Sequence, residues 1–450
     1  MPILLVLAAV IAAIIVLTAV WKIHPLPVLL IGAFVFALCN RNSVPAAVDL
    51  IATGFGNTLK SIGIIIMIGT ILGAFMERRG ALDVIANRII RLTGRKRAPL
   101  AMSIIGYVVS ICIFCDSAYV ILIGLWRRIG TLAKVPLAVG ATALALGLFA
   151  SHCFIPPTPG PLAALSILDA DFARVLVYGA IAAFAAAAAG FFHAVIAGKN
   201  ERLPGEGEPD AAAEAVPGEK PAAPVFSRHW SVAFLPLAIP LVLIGANSLA
   251  SLWGKSLPPV MLRFLAAAGN PVCALGIGAL IAVFFLGGWK REELTIDGVL
   301  GKAVVDAANI LVITAAGGAF GEVLKHIDFT PLLPARISSS GVWALLIPLG
   351  FAAALKIAQG SSTLAILTAA SVTSPLLEPL HLTTPTLRAL CCCAVCCGGL
   401  IVSHTNDSYF WVVTKFSGMS VRQGLKLHTV GTLISGIAAA VTILVLAFLC

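Results

Sequence analysis

Apolar residues in this chain come in runs of about 20, the length a helix needs to cross a bilayer, separated by short polar and basic stretches. Ile3–Val20, Pro25–Cys39, Ile62–Met76, Val135–Leu168 and Val175–Ala197 form a first set of spans. Val232–Leu252, Val272–Gly288, Val304–Phe320, Leu387–Trp411 and Val430–Leu449 form a second. Between them lies Gly198–His229, with five prolines, six carboxylates and almost no large apolar residue, a composition that predicts a flexible connection. The chain thus divides into a first transmembrane repeat (1–198), a linker (199–230) and a second transmembrane repeat (231–450). The fold class predicted is an all-α polytopic membrane protein. Ile3–Val20 lacks a basic leader and a small-residue cleavage site, so it reads as a retained helix.

Two spans are interrupted by polar residues. Ser151–Pro161 reads S-H-C-F-I-P-P-T-P-G-P, and four prolines with a glycine predict a broken helix. Ser403–Asp407, S-H-T-N-D, interrupts the corresponding span of the other half. Irregular backbone at membrane depth is tolerated only where protein or a watery cavity covers it, and broken helices are where transporters hold substrates. Ala98–Trp126 is too long for one crossing and too short for two, and is flanked by basic residues at both ends, which predicts a re-entrant hairpin with its tip near Phe114–Ser117. Val342–Leu380 is the counterpart, its tip at Gln359-Gly360-Ser361-Ser362-Thr363.

The halves echo each other. G-A-F-M-E at Gly73–Glu77 recurs as G-A-F-G-E at Gly318–Glu322, D-S-A-Y-V-I-L at Asp116–Leu122 resembles G-S-S-T-L-A-I-L at Gly360–Leu367, and Ser151-His152 is matched by Ser403-His404. Five crossings per half is an odd number, so the repeats are expected to be inverted. With the linker in the cytoplasm, cytoplasmic segments hold 21 basic residues and outer ones 8, with Lys356 inside the second hairpin. That asymmetry fits inversion with both termini outside.

Composition agrees: 60% hydrophobic and 11% charged, against roughly 25% charged in soluble domains. The net charge of +10 flanks apolar spans and follows positive-inside topology, so no nucleic-acid partner is implied. Cys391, Cys392, Cys393, Cys396 and Cys397 lie in an apolar helix without interleaved histidine or carboxylate, which favours helix packing over a metal site. No nucleophile elbow, H-E-x-x-H motif or soluble catalytic domain points to an enzyme, and no cofactor is implied. An ion channel or cation exchanger is the competing class, disfavoured because broken helices in inverted repeats suit alternating access.

Ionisable residues within spans are the first functional candidates. Asp116 is either a cap on the returning helix or a proton-titrating carboxylate, and is the first choice for proton coupling. Lys356 is placed to balance a substrate carboxylate or to pair with Asp116 or Asp407. Ser117, Ser361, Ser362 and Thr363, with Gly360, offer hydroxyls and backbone suited to a polyol or hydroxy acid, against bonding within their own helices. His152 and His404 follow serines 151 and 403 at the breaks and are either packing residues or proton relays. Thr158, Gly160 and Asn406 complete the candidate binding set. Asp407 caps the next helix or carries a proton, and Glu77 and Glu322 read as interfacial.

These motifs carry a resemblance. S-H-C-F-I-P-P-T-P-G-P-L followed by I-L-D-A-D is similar to the T-H-G-F-(L/I)-P-P-H-P-G-P signature of the gluconate permease (gluconate:proton symporter) family. It continues through F-C-D-S-A-Y-V, G-G-A-F-G-E-V-L, L-K-I-A-Q-G-S-S-T and S-H-T-N-D-S-Y-F-W, over nearly the whole chain. The resemblance implies proton-coupled symport of a sugar acid or small hydroxy acid in a bacterial inner membrane. It also implies the ion-transporter superfamily architecture, two inverted repeats with re-entrant hairpins, in a homodimer moving by an elevator mechanism. His152, Pro156, Pro157, Pro159, Gly160, Gly318, Ser361, Thr363, Ser403, His404, Asn406 and Asp407 match the family pattern. Asp116 stands where Glu is typical, Lys356 where Arg is typical, and Thr158 replaces a histidine. Lysine lacks the bidentate fork of arginine, a departure that leaves transport as the reading without fixing gluconate as the substrate; a hydroxy amino acid such as D-serine, whose hydroxyl and carboxylate resemble those of a hydroxy acid, is the alternative.

Overall fold

The computed structural model describes residues 3–21, 23–40, 42–94, 97–111, 113–133, 135–204, 230–253, 258–286, 290–326, 341–405 and 407–449. These residues form helices and connecting turns, with no strand among them. The first half holds α1 (Ile3–Ile15), α2 (Pro25–Cys39), α3 (Val44–Arg78), α4 (Ala81–Thr93), α5 (Ala98–Val109), α6 (Cys115–Ala133), α7 (Leu137–Phe154), α8 (Pro159–Ile167) and α9 (Phe172–Gly198). The second holds α10 (Trp230–Trp253), α11 (Pro259–Ala268), α12 (Pro271–Phe284), α13 (Val299–Lys325), α14 (Leu346–Gln359), α15 (Ser362–Thr373), α16 (Pro385–Leu400) and α17 (Ser408–Ser417). A short helical turn, Val421–Gly424, and a π-helical turn, Leu425–Thr429, lead into α18 (Val430–Leu449).

Six stretches of described helix are long and apolar enough to cross a membrane, or seven if α11 and α12, bent by 65°, count as one span. Five crossings per half are therefore not reached by long helices alone; the other apolar helices run 10–17 residues. The span expected at Ile62–Met76 is the end of the 35-residue α3, about 52 Å at 1.5 Å per residue. Of the linker, only residues up to Pro204 are described; 205–229 lie outside the described residues.

α3 and α13 pack along one another, joined by α2, α10 and α12; α5, α7 and α9 pack with each other, and α16 packs against both α14 and α18. α8 lies against α15 and both touch α13. α3 and α13 run antiparallel: Gly54 faces Gly318 and Ala319 near the end of α13, while Arg79, just past α3, pairs with Glu293 ahead of α13 at 2.6 Å. α9 and α18 are antiparallel too, Gly190 meeting Ser435 and His193 meeting Gly431. Beyond α9, Glu201 accepts hydrogen bonds from Lys426 Nζ at 2.7 Å and Gln423 Nε2 at 3.1 Å. Those bonds hold its carboxyl below the ordinary value, so this clamp is present at neutral pH and is lost as the pH falls through the lowered value.

The first break is shorter than its sequence suggests. α7 continues through Ser151, His152, Cys153 and Phe154, so the two former residues belong to its last turn and not to the interruption. The helix stops at Ile155, which is extended (φ −105°, ψ 116°) because the residue before a proline is pushed out of the helical region. Pro159 then occupies the first turn of α8, where a missing N–H costs nothing. The helices of the first hairpin end at Val109 and begin again at Cys115, so of the expected tip only Phe114 precedes α6 and Asp116 sits in its first turn. The second hairpin turns where expected: Gly360 is left-handed (φ 80°) and Ser361 caps α15 by accepting from Leu364 N–H at 3.3 Å, a backbone only glycine adopts freely.

Candidate functional site

Lys356 lies in the last turn of α14, where a cation complements the free carbonyls. It is completely buried, and its Nζ donates to Gly360 O at 2.6 Å and to Asp407 Oδ2 at 2.5 Å. Asp407 is the N-cap of α17: its Oδ1 accepts from Tyr409 N–H at 3.0 Å, while Oδ2 also accepts from Ser403 Oγ at 2.5 Å. The second helix break and the second hairpin tip are thereby tied by one buried ion pair. Ser403 is itself anchored by the first turn of α18 and the residue before it, its N–H donating to Thr432 Oγ1 at 3.0 Å and its carbonyl accepting from Thr429 Oγ1 at 2.6 Å. Its hydroxyl also meets His428 Nε2 at 3.1 Å.

Aromatic rings wall this network. Phe149 of α7 stacks on Tyr409 with centroids 5.0 Å apart, and Lys356 Nζ lies 5.4 Å from the Phe149 centroid. His428 packs against Tyr409, Phe149 and Phe410 at 5.4, 6.0 and 6.2 Å. Tyr409 donates to Ala145 O at 3.0 Å, fixing α17 on α7. Tyr119 of α6 meets Tyr409 edge-on at 6.2 Å, and Phe114 at the first hairpin turn lies 6.1 Å from the His152 ring. Both hairpins and both breaks therefore reach one region. A narrow cleft opens beside it between Ile113 and Phe114 of the turn, Pro157 and Thr158 of the break, and Gly69 and Thr70 of α3.

Several buried polar atoms in this region have no hydrogen-bond partner in the protein: Asp116 Oδ1, His152 Nδ1, His428 Nδ1, and both Oε1 and Nε2 of Gln359. An unsatisfied buried group costs about 1–3 kcal/mol. Such atoms are tolerated where a ligand or proton completes them.

The expected site residues divide by place. Lys356, Gly360, Ser403 and Asp407 form the central network, and His152 stands beside it. Asp116, Asp407 and Lys356 lie within electrostatic reach of one another. Ser151 donates back to Gly147 and Leu148 carbonyls, and Thr158 to Ile155 O at 2.6 Å, so both hydroxyls are occupied locally. Gly160 faces Ile366. Ser117 and Ser361 are exposed, Ser362 is buried and Thr363 half-buried. His404 is half-buried with Nε2 3.1 Å from Ile357 O, on α14 but outside the Lys356 network. Asn406 lies outside the described residues. His428, Phe149 and Tyr409 are the residues that sequence reasoning missed, and Gln359 it named only as part of the second hairpin tip. His428 had a signal, an ionisable side chain at the edge of a long apolar run; the others had none beyond their neighbours. The cysteine run is buried in α16, Cys392 against Pro161 of the first break and Cys397 Sγ 3.2 Å from Gly436 O.

The sequence profile described as GntP family permease matches residues 1–449. The chain is 30% identical to the Gnt-II system L-idonate transporter of Escherichia coli K12 over 96% of each chain. It is 29% identical to the gluconate permease of Pseudomonas aeruginosa, covering 97% of this chain and 95% of that one. It is also 29% identical to the D-serine transporter DsdX of Escherichia coli O6:H1, covering 97% and 96%. The fold is similar to that of the YdaH transporter of Alcanivorax borkumensis, with a TM-score of 0.64 at 17% identity over 90% of this chain and 89% of that one.

Proposed function

The chain belongs to the GntP family of permeases, and from that premise we propose that it is a proton-coupled symporter of a sugar acid, such as gluconate, or a related small hydroxy acid. It is a multi-pass membrane transporter. The observation that carries the substrate class is the buried Lys356–Asp407 pair at the meeting point of a hairpin tip and a helix break. Taking both charges out of water costs several kcal/mol per ion, which their attraction repays only in good geometry. A substrate carboxylate replaces Asp407 on Lys356 once Asp407 is neutral, so the proton and the acid enter together. Asp116 and His404 are the other proposed proton sites. Gln359, His152, Ser362 and Thr363 supply the polar contacts to hydroxyls.

Alternating access follows from an inverted architecture moving as an elevator, in a homodimer in the bacterial inner membrane with both termini periplasmic and the linker cytoplasmic. Two observations support inversion: α3 and α13 carry the paired G-A-F motifs and are antiparallel, and so are α9 and α18. The matching of relatives named for L-idonate, gluconate and D-serine at nearly equal identity keeps a hydroxy amino acid as the second reading.

Purified protein in liposomes tests this directly. A pH gradient, acidic outside, is expected to drive accumulation of gluconate or another hydroxy acid, and Lys356→Met to abolish binding while Lys356→Arg retains part of it. Preferential uptake of D-serine would establish the second reading. Uptake driven by sodium and not by protons would overturn the coupling ion, and normal acid binding by Lys356→Met would remove the role of the lysine.

A further inference from the structure

The hydrogen bonds around Asp407 have a direction, and they end on a histidine that no motif marks. Lys356 and Ser403 both donate into Asp407 Oδ2. The Ser403 hydroxyl proton is thus used, and its oxygen accepts from His428 Nε2–H at 3.1 Å. His428 is therefore the Nε2–H tautomer, leaving Nδ1 a bare lone pair, buried and without a protein partner. A histidine kept only for packing gains nothing from an orphaned buried nitrogen.

We infer that His428 is the proton relay of this site, passing a proton through Ser403 to Asp407, which then releases Lys356 to the substrate carboxylate. This inference rests on the transport reading above. A proton arriving at Nδ1 makes the imidazolium; the Nε2 proton moves to Ser403 Oγ, and the Ser403 hydroxyl proton moves to Asp407 Oδ2. One proton enters and one is gained by Asp407. His428 is left neutral with its hydrogen on Nδ1, and the hydrogen bonds of the chain are reversed. The same steps run backwards release the proton. The rings of Phe149, Tyr409 and Phe410 surround the transient cation, and Asp407 offsets its charge across one hydroxyl.

The ionisable neighbours of His428 are few. Asp407 and Lys356 lie within electrostatic reach, and Tyr409 touches it from α17. From α9, His193 Nε2 holds the carbonyls of Lys426 and Leu427 at 3.2 and 3.1 Å, and Lys426 itself is engaged by Glu201. α7 presents Phe149, and Thr429 and Thr432 flank the ring along its own segment and are bonded to Ser403. Among the described residues, Asp407 is the carboxylate that acts on His428.

The test uses the full-length protein in liposomes with radiolabelled gluconate and D-serine as probes. With one proton per substrate, a gradient of one pH unit drives about tenfold accumulation in the unmodified protein. In His428→Gln, where an amide N–H keeps the bond to Ser403 but relays no proton, the initial rate of pH-driven accumulation is expected to fall at least tenfold. Exchange between equal pools, in which Asp407 keeps its proton throughout the cycle and the relay is not used, is expected to continue. Ser403→Ala should show the same split and decides the matter if His428→Gln does not fold. Accumulation at an undiminished initial rate in His428→Gln overturns the relay, as does its loss in Asp116→Asn alone. Loss of exchange together with accumulation, in a variant with an unchanged unfolding temperature, assigns His428 to substrate binding and also overturns the relay. Unmodified protein that accumulates neither probe under a pH gradient overturns the transport reading itself, and the relay falls with it.

Discussion

Gln359 buries a complete side-chain amide with no protein partner for either polar atom, one turn beyond Lys356 on the same face of α14. In a purely structural setting this is a defect, and an apolar residue of similar size would relieve about 1–3 kcal/mol of desolvation. Gln359→Leu is therefore expected to leave the unfolding temperature in detergent unchanged or raised, while weakening the stabilisation conferred by gluconate or D-serine. A variant that is destabilised, or one that binds either probe undiminished, would show that the amide serves the fold and not the ligand. Lys356 differs in kind. Its charge is already satisfied by Asp407 and Gly360, so removing either ion of the pair exposes an uncompensated partner, a loss that buried pairs put at about 3–5 kcal/mol.

At the scale of elements, the contact of α3 with α13 depends on close backbone approach. A Cβ on Gly54 would stand 2.7 Å from Gly318 O and 2.9 Å from Ala319 Cα, distances that only a shift of a whole helix can relieve. Gly54→Ala is expected to cost about 1–3 kcal/mol, the usual price of overpacking, seen as a lowered unfolding midpoint. Gly56, on the same helix, has open space around its position, so Gly56→Ala should be neutral or stabilising by up to about 1 kcal/mol. Equal effects of the two substitutions would argue that helix contact here is loose. Helix capping works at the same scale: Asp407 begins α17 and holds Lys356 with the other oxygen, so one carboxylate sets both a helix start and a charge balance.

For the whole molecule, ion pairs among the described residues join opposite halves at three places: Glu293 with Arg79 and Arg78, Lys426 with Glu201, and Arg388 with Asp169 at 2.9 Å. The charge-based topology puts every residue of the first two places in the cytoplasm and both residues of the third outside. Their agreement supports that topology, and labelling checks it. With Cys39 and Cys273, the exposed native cysteines among the described residues, replaced by alanine, Arg202→Cys should react with an impermeant thiol reagent only from the cytoplasmic side. Asp169→Cys, 90% exposed at its side chain, should react only from the periplasmic side. Both positions reacting from one side would reject the inverted arrangement.

Much of this was legible along the chain because it follows from local chemistry. Apolar runs mark helices, Pro156 ends α7 through the residue before it, Gly360 permits the second hairpin turn, and Asp407 caps α17 within two residues of itself. The same local reasoning overextended the first break, since nothing short of the backbone trace shows that Ser151 and His152 finish a helix and that Pro159 starts one. It also placed Asp116 at a tip that lies a few residues earlier. What the tertiary structure decided are the partnerships between distant segments. Lys356 had two candidate carboxylates, and packing of α14 on the second break chose Asp407. His428, in a stretch with no motif, becomes part of the site only because α18 folds back to bond Ser403. Hydrophobic pattern specifies which faces must leave water, but it is indifferent to which polar group meets which inside; that choice belongs to helix packing.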